Sequence, residues 1–177
     1  MTTVEQHTQL VPDAPTLFLN FGGVLNIGHG LVDHNGFITL DSGRPLFEYA
    51  AYLVDVLAPW PQVQIIVTTS WLRTLGAEKT IALLPDELRR RVVATTLGTP
   101  PRFSEFKDGT AKTMTVIRHA AKYGLTRWLV LDDEAWGVPS GYEQHFLHTD
   151  SDTALGASEV RKQLREWLEA KHGFFDG

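Results

Sequence analysis

Four places along the chain carry residue types able to do chemistry. Thr16-Leu17-Phe18-Leu19-Asn20 is an apolar run that stops at an asparagine and then breaks into Gly22-Gly23. That is the pattern of a buried strand entering a loop whose backbone must come close to something. Val63-Gln64-Ile65-Ile66-Val67-Thr68-Thr69 is nearly all apolar and β-branched and ends in two hydroxyls. Hydroxyls at the carboxyl end of a parallel strand sit where such sheets bind ligands. Lys112 stands near a helix start, against the preference of the helix dipole, which favours a functional use. Trp128-Leu129-Val130-Leu131 runs into Asp132-Asp133, and two adjacent carboxylates ending a buried strand are costly unless something cationic meets them.

Each place also has a structural alternative. Asn20 and Gly22 suit an ordinary strand-to-turn junction, Thr68 and Thr69 suit a strand as β-branched residues, Lys112 suits a solvated surface position as isolated lysines usually do, and Asp132-Asp133 suits a helix cap. Arg89-Arg90-Arg91 reads as a solvated helix end in preference to a phosphate patch. His145 and His148 are a poor metal pair, because a separation of three in a strand puts side chains on opposite faces. Trp71 and Trp136 have packing as the alternative to stacking on a base.

The elements that would position these residues alternate in type. Residues 26–43 hold Gly28, Gly30, Gly36 and Gly43 around short apolar pieces, which suggests a flap or hairpin. Ser42-Gly43-Arg44-Pro45 reads as a helix start, and Leu46, Phe47, Ala50, Leu53, Val54 and Leu57 form one face before Pro59. Residues 72–91 read as helical pieces, 92–95 as a short strand and 98–101 as a loop. A helix follows Asp108-Gly109-Thr110 and carries Val116, Ile117, Ala120 and Tyr123 to Gly124. A last strand over 145–148 and a helix from about Ser158, burying Val160, Leu164, Trp167 and Leu168, complete the chain. The expected class is α/β, a mainly parallel sheet with helices on both faces.

The sequence of 177 residues, 43% hydrophobic and 21% charged, supports one domain, expected over 16–172 with 1–15 as a flexible tail. Its net charge of -5 does not support a dedicated nucleic-acid binder, although it leaves room for a local basic cleft. With no cysteine, disulfides and thiolate chemistry are excluded. No signal peptide and no apolar run of about 20 residues is evident, so a cytoplasmic location and no membrane partner are expected.

Taken together and in order, these positions strongly resemble the haloacid dehalogenase (HAD) superfamily of phosphohydrolases over residues 16–170. With aspartate at 20 and 22 the first stretch would read Leu-Phe-Leu-Asp-Phe-Asp-Gly-Val-Leu, the first motif of that family. Thr68 or Thr69 matches the second motif, Lys112 the third, and Asp132 with Asp133 the fourth. Thr69-Ser70-Trp71 is similar to small bacterial HAD-like proteins whose second motif has a hydroxyl residue, one spacer and tryptophan, which favours Thr69 over Thr68. The resemblance implies a three-layer Rossmann-like fold. It also implies phosphoryl oxygens held by a threonine and a lysine, and magnesium held by the residue-20 side chain, the Gly22 carbonyl and Asp132 or Asp133.

In the family a carboxylate at the first position attacks phosphorus, and one two residues later serves as acid and base. Here Asn20 cannot form the covalent intermediate and Gly22 has no side chain, so hydrolysis near background is expected, with magnesium weakened. The expected function is binding of a phosphate-bearing or protein partner. An active phosphatase, a substrate-trapping variant of one, and a purely structural interaction module are the alternatives. Only about twenty residues separate the first strand from the next helix, so the resemblance is to a capless form. Its open cleft would suit a macromolecular phosphorylated ligand.

Overall fold

The computed structural model describes residues 9–172. Five parallel strands, β1 (Thr16–Leu19), β4 (Gln64–Val67), β5 (Val92–Thr95), β6 (Trp128–Asp132) and β7 (Phe146–His148), form one sheet in the order β5-β4-β1-β6-β7. A separate antiparallel hairpin, β2 (Gly30–Val32) with β3 (Ile38–Leu40), fills the connection after β1. β1 is central, paired to β4 from Thr16↔Gln64 to Leu19↔Val67 and to β6 from Thr16↔Trp128 to Leu19↔Leu131.

A strand in the middle of a parallel sheet is covered on both faces, which is why β1 is apolar without alternation. Successive side chains still point to opposite faces. Leu17 and Leu19 join a core with Leu53, Val56 and Leu57 of helix α1 (Ala50–Leu57) and Leu164 and Leu168 of the C-terminal helix (Ser158–His172). Phe18 joins the opposite core with Val116 and Ala120 of the helix Ala111–Lys122. Two cores flanking one sheet make the three-layer α/β architecture expected from the alternation of elements. Each fully buried side chain of this kind is worth roughly 1.5–3 kcal/mol of burial.

Between β4 and β5 lie three short helices, α2 (Trp71–Leu75), α3 (Ala77–Ala82) and α4 (Asp86–Arg89). Arg91 follows them and donates to the carbonyl oxygens of Leu57, Trp60 and Val63, closing the end of α1, while Arg89 and Arg90 bond locally, to Ala82 and Asp86. The remaining helices are α5 (Phe103–Asp108), α6 (Ala111–Lys122) and α7 (Ser158–His172).

Two departures from the sequence reading have local causes. The first helix begins at Ala50, not at Ser42–Pro45. Phe47 has φ 57°, in the left-handed region, and its N–H donates to Asn26 Oδ1 at 2.5 Å. Its ring packs edge-on against Phe21 at 5.3 Å and beside Trp71 at 6.0 Å. That buried contact outweighs the helical preference of Leu46 and Phe47, since a left-handed residue cannot continue a helix. The second departure is α5, where the sequence reading placed no helix. It is held by Glu105, which pairs with Arg118 of α6 and accepts from the Arg102 N–H at 2.8 Å.

The tail expected over 1–15 falls partly outside the described residues. Where it is described, Val11 is bound on both backbone groups by the Gln64 side chain, at 3.1 and 2.7 Å. Among the described residues no helix is long and apolar enough to cross a membrane.

Candidate functional site

β1 and β6 are neighbours, and the sheet continues from β1 toward β4 and β5 but from β6 toward β7. Such a reversal opens a crevice outside the carboxyl ends of the two central strands. Asn20, one residue beyond β1, still donates its backbone N–H to Leu131 O at 3.2 Å and is 4% exposed. Asp132 ends β6 and is 2% exposed. The two side chains are thereby brought face to face.

The Asn20 Nδ2 amino group donates to Gly22 O at 2.9 Å, to Asp132 Oδ1 at 3.0 Å and to Asp133 Oδ1 at 3.3 Å. Three acceptors around one amide atom assign that atom as nitrogen, since an oxygen there would face only oxygens. Asp132 Oδ1 also accepts from the Glu134 N–H at 2.9 Å and lies 3.8 Å from Lys112 Nζ, which is itself 3.1 Å from Glu134 Oε2. Asp132 therefore holds the turn after β6; no helix starts there, so the helix-cap reading of the acidic pair does not hold.

Gly22 and Gly23 do different work. Gly23 has φ +71°, and a Cβ there would fall 2.2 Å from the Asp133 carboxyl carbon, so only glycine lets Asp133 lie over the loop. A Cβ on Gly22 would meet only Gly28 O at 3.9 Å, and that position has room for a side chain. Thr149, just after β7, holds the loop from below. Its hydroxyl donates to Gly23 O at 2.6 Å and its N–H to Asp132 O at 3.1 Å.

Burial pushes the Asp133 carboxyl up to about 6, helped by the charge and hydrogen bond of Asp132 and by Glu134, with Lys112 opposing. The oxygens that a magnesium ion would need, Gly22 O, Asp132 Oδ1 and Asp133 Oδ1, are turned toward the Asn20 amino group. Magnesium requires hard oxygen ligands and near-octahedral geometry, and a donor nitrogen at the focus of those oxygens opposes it. Among the described residues no group of three or more His, Cys, Asp or Glu side chains is arranged to hold a metal. As arranged, these residues do not fit the ion.

Thr68 and Thr69 end the neighbouring strand. Thr68 Oγ1 accepts from Thr96 Oγ1 at 3.3 Å, and Thr69 Oγ1 accepts from the Trp71 N–H at 3.4 Å. Both threonines line a cavity of about 390 Å³ whose wall includes Lys112 and Ser70. Lys112 and Ser70 also line a second cavity, of about 620 Å³, with Asn20, Gly22 and Asp133. Of the residues singled out by motif order, Asn20, Gly22, Thr68, Thr69, Lys112 and Asp133 border one of two adjoining cavities, and Asp132 lies buried behind them.

Of the other candidates, Trp71 lines the larger cavity, while the two histidines pack on tryptophans. Trp71 packs edge-on against Phe21 at 5.4 Å and lies where a Cβ on Gly30 would sit, seating the hairpin. His145 lies in a short 3-10 turn, stacks on Trp128 at 4.0 Å and places Nδ1 2.8 Å from Trp128 O. His148 packs instead on Trp136, at 4.9 Å. Glu134 and Thr149 were not singled out by sequence. The run Asp132-Asp133-Glu134 was a visible signal for the first, whereas nothing local marks Thr149.

No curated protein and no solved structure matches the chain. Residues 16–160 match the family described as the HAD domain in Swiss Army Knife RNA repair proteins, and the chain belongs to that family.

Proposed function

We propose that this domain binds the phosphorylated end of an RNA and does not hydrolyse it. The observation that carries the reading is the Asn20 amino group engaged with Gly22 O, Asp132 and Asp133. The residue placed to attack phosphorus is neutral and turned toward its own loop, and Gly22 supplies no acid for a leaving group. Lys112 and the hydroxyls of Thr68 and Thr69 remain beside the crevice as donors for phosphoryl oxygens. RNA as the ligand is supported by the family's description and by an inserted segment no larger than one hairpin, which leaves the crevice open to a macromolecule. The amide in place of a carboxylate removes one repulsive charge toward a phosphate dianion. In this reading the metal is dispensable for binding, and the domain works in the cytoplasm.

Two measurements test it. Hydrolysis of a generic aryl phosphate with magnesium is expected at background; turnover abolished by Asp132→Asn and Asp133→Asn together overturns the reading. An RNA oligonucleotide with a terminal phosphate is expected to raise the melting temperature more than its hydroxyl-ended counterpart. No shift with either favours a purely structural module.

A further inference from the structure

The two cavities that meet at Lys112 differ in charge. The larger carries Asp41, Asp133, Glu134 and Asp152 on its wall. The smaller carries Arg73 and Lys112 and no carboxylate. A polyanion with one phosphate at Lys112 is repelled from the first and drawn to the second. At about 390 Å³ the smaller cavity lies within the range of small-molecule sites.

Its lining suits a base better than a second phosphate. Thr115 lines it from α6 with a hydroxyl that is buried and has no hydrogen-bond partner among the described residues; the residue is 8% exposed. A hydroxyl desolvated without a partner gains by meeting the polar edge of a ligand. Phe106 of α5 also lines the cavity, half-exposed, with the Arg73 guanidinium 5.4 Å from its ring centroid. One turn back along α5, Phe103 is 78% exposed with Lys107 Nζ 5.9 Å from its ring. Aromatic faces alternating with cations are what single-stranded nucleic acid uses, bases on the rings and phosphates on the charges.

We propose that this cavity takes the terminal nucleobase of a single-stranded RNA whose end phosphate lies at Lys112. Phe106 stacks on that base, the Thr115 hydroxyl meets its polar edge, and Phe103 carries the strand outward. The inference rests on the reading of the crevice as a site for a phosphorylated RNA end, and it adds the base subsite and the direction of the strand.

The test is calorimetric titration of the full chain with uridine trinucleotides bearing a 5′ phosphate, a 3′ phosphate or neither, and with ribose 5-phosphate. The better of the two phosphorylated trinucleotides is expected to bind about tenfold or more tighter than ribose 5-phosphate. Phe106→Ala and Thr115→Val should each shrink that ratio severalfold, whereas Lys112→Ala should weaken both ligands together. Phe106 is half-exposed and Thr115→Val keeps the side-chain shape, so both variants are expected to fold, which their melting curves check. Equal affinity for trinucleotide and ribose 5-phosphate, or a ratio unmoved by both variants, overturns the base subsite and leaves the phosphate reading standing. Trinucleotide binding that ignores the phosphate but falls in both variants keeps the subsite and overturns the phosphate reading. Binding of none of these ligands overturns both.

Discussion

Asn20 Nδ2 donates to Asp132 Oδ1 at 3.0 Å across the junction of β1 and β6. The bond spans 112 residues of sequence, and it puts a neutral donor where a first-motif carboxylate would need a cation to neutralise it. Asn20→Asp should therefore leave residues 20, 132 and 133 as three carboxylates around the Gly22 carbonyl with only Lys112 nearby. The expected loss in metal-free buffer is about 2–4 kcal/mol, or roughly 5–15 °C in melting temperature for a chain of this size. Magnesium should recover it by mass action while leaving the parent chain unmoved. Thermal melts in chelator and in magnesium decide the matter, and an equal magnesium shift in both proteins would contradict it.

Gly22 accepts a side chain without steric cost, since the nearest atom to a Cβ is 3.9 Å away and its φ is ordinary. Asn20→Asp with Gly22→Asp should create magnesium-dependent hydrolysis of an aryl phosphate, and Gly22→Asp alone should not, because a general acid without a nucleophile has nothing to assist. A folded double variant that binds magnesium and yet has no turnover would show that more than these two carboxylates has been lost.

Much of this arrangement was legible in the sequence. β1, β4 and β6 were readable because doubly covered parallel strands leave uninterrupted apolar runs, and their carboxyl ends named Asn20, Thr68, Thr69 and Asp132. The start of α1 was not, because a buried contact of Phe47 with Phe21 and Trp71 decides it, and such contacts leave no local pattern. α5 was missed for a similar reason: six residues tied down by Glu105 and Arg118 do not show a period. The direction of the Asn20 amide was also illegible, since it depends on acceptors more than a hundred residues away.

Gly23 offers a test of the loop that is independent of any ligand. Gly23→Ala combines a left-handed φ with a Cβ 2.2 Å from the Asp133 carboxyl carbon, whereas Gly36→Ala has φ +82° and open space. The second should cost about 1 kcal/mol from backbone strain alone. The first should cost about 2–4 kcal/mol, because Asp133 must also move from its place over the loop. Urea unfolding of the two variants separates strain from clash, and equal losses would mean that the carboxyl gives way freely.

His119 sets the last expectation, for pH. The ring is 2% exposed, edge-on to Phe18 at 5.8 Å, with Nδ1 2.9 Å from Thr99 Oγ1. Burial, with a smaller contribution from the Lys122 charge, lowers its pKa from 6.5 to about 4. Between those values the unfolded chain binds more protons than the folded one, so stability rises with pH. The contribution is complete above about pH 6.5 and is lost as pH falls toward 4, a change of about 3 kcal/mol. Asp133 works in the opposite sense, because its pKa is raised from 3.8 to about 6. Its folded form binds the extra proton, and its contribution falls as pH rises through that window. The two slopes oppose one another in the parent protein, so the parent curve alone hides both. The stability of the parent minus that of His119→Gln isolates the histidine. That difference should shrink by about 2 kcal/mol between about pH 7 and about pH 4.5 in urea unfolding, and a difference that stays constant with pH would refute a neutral, buried imidazole at this position.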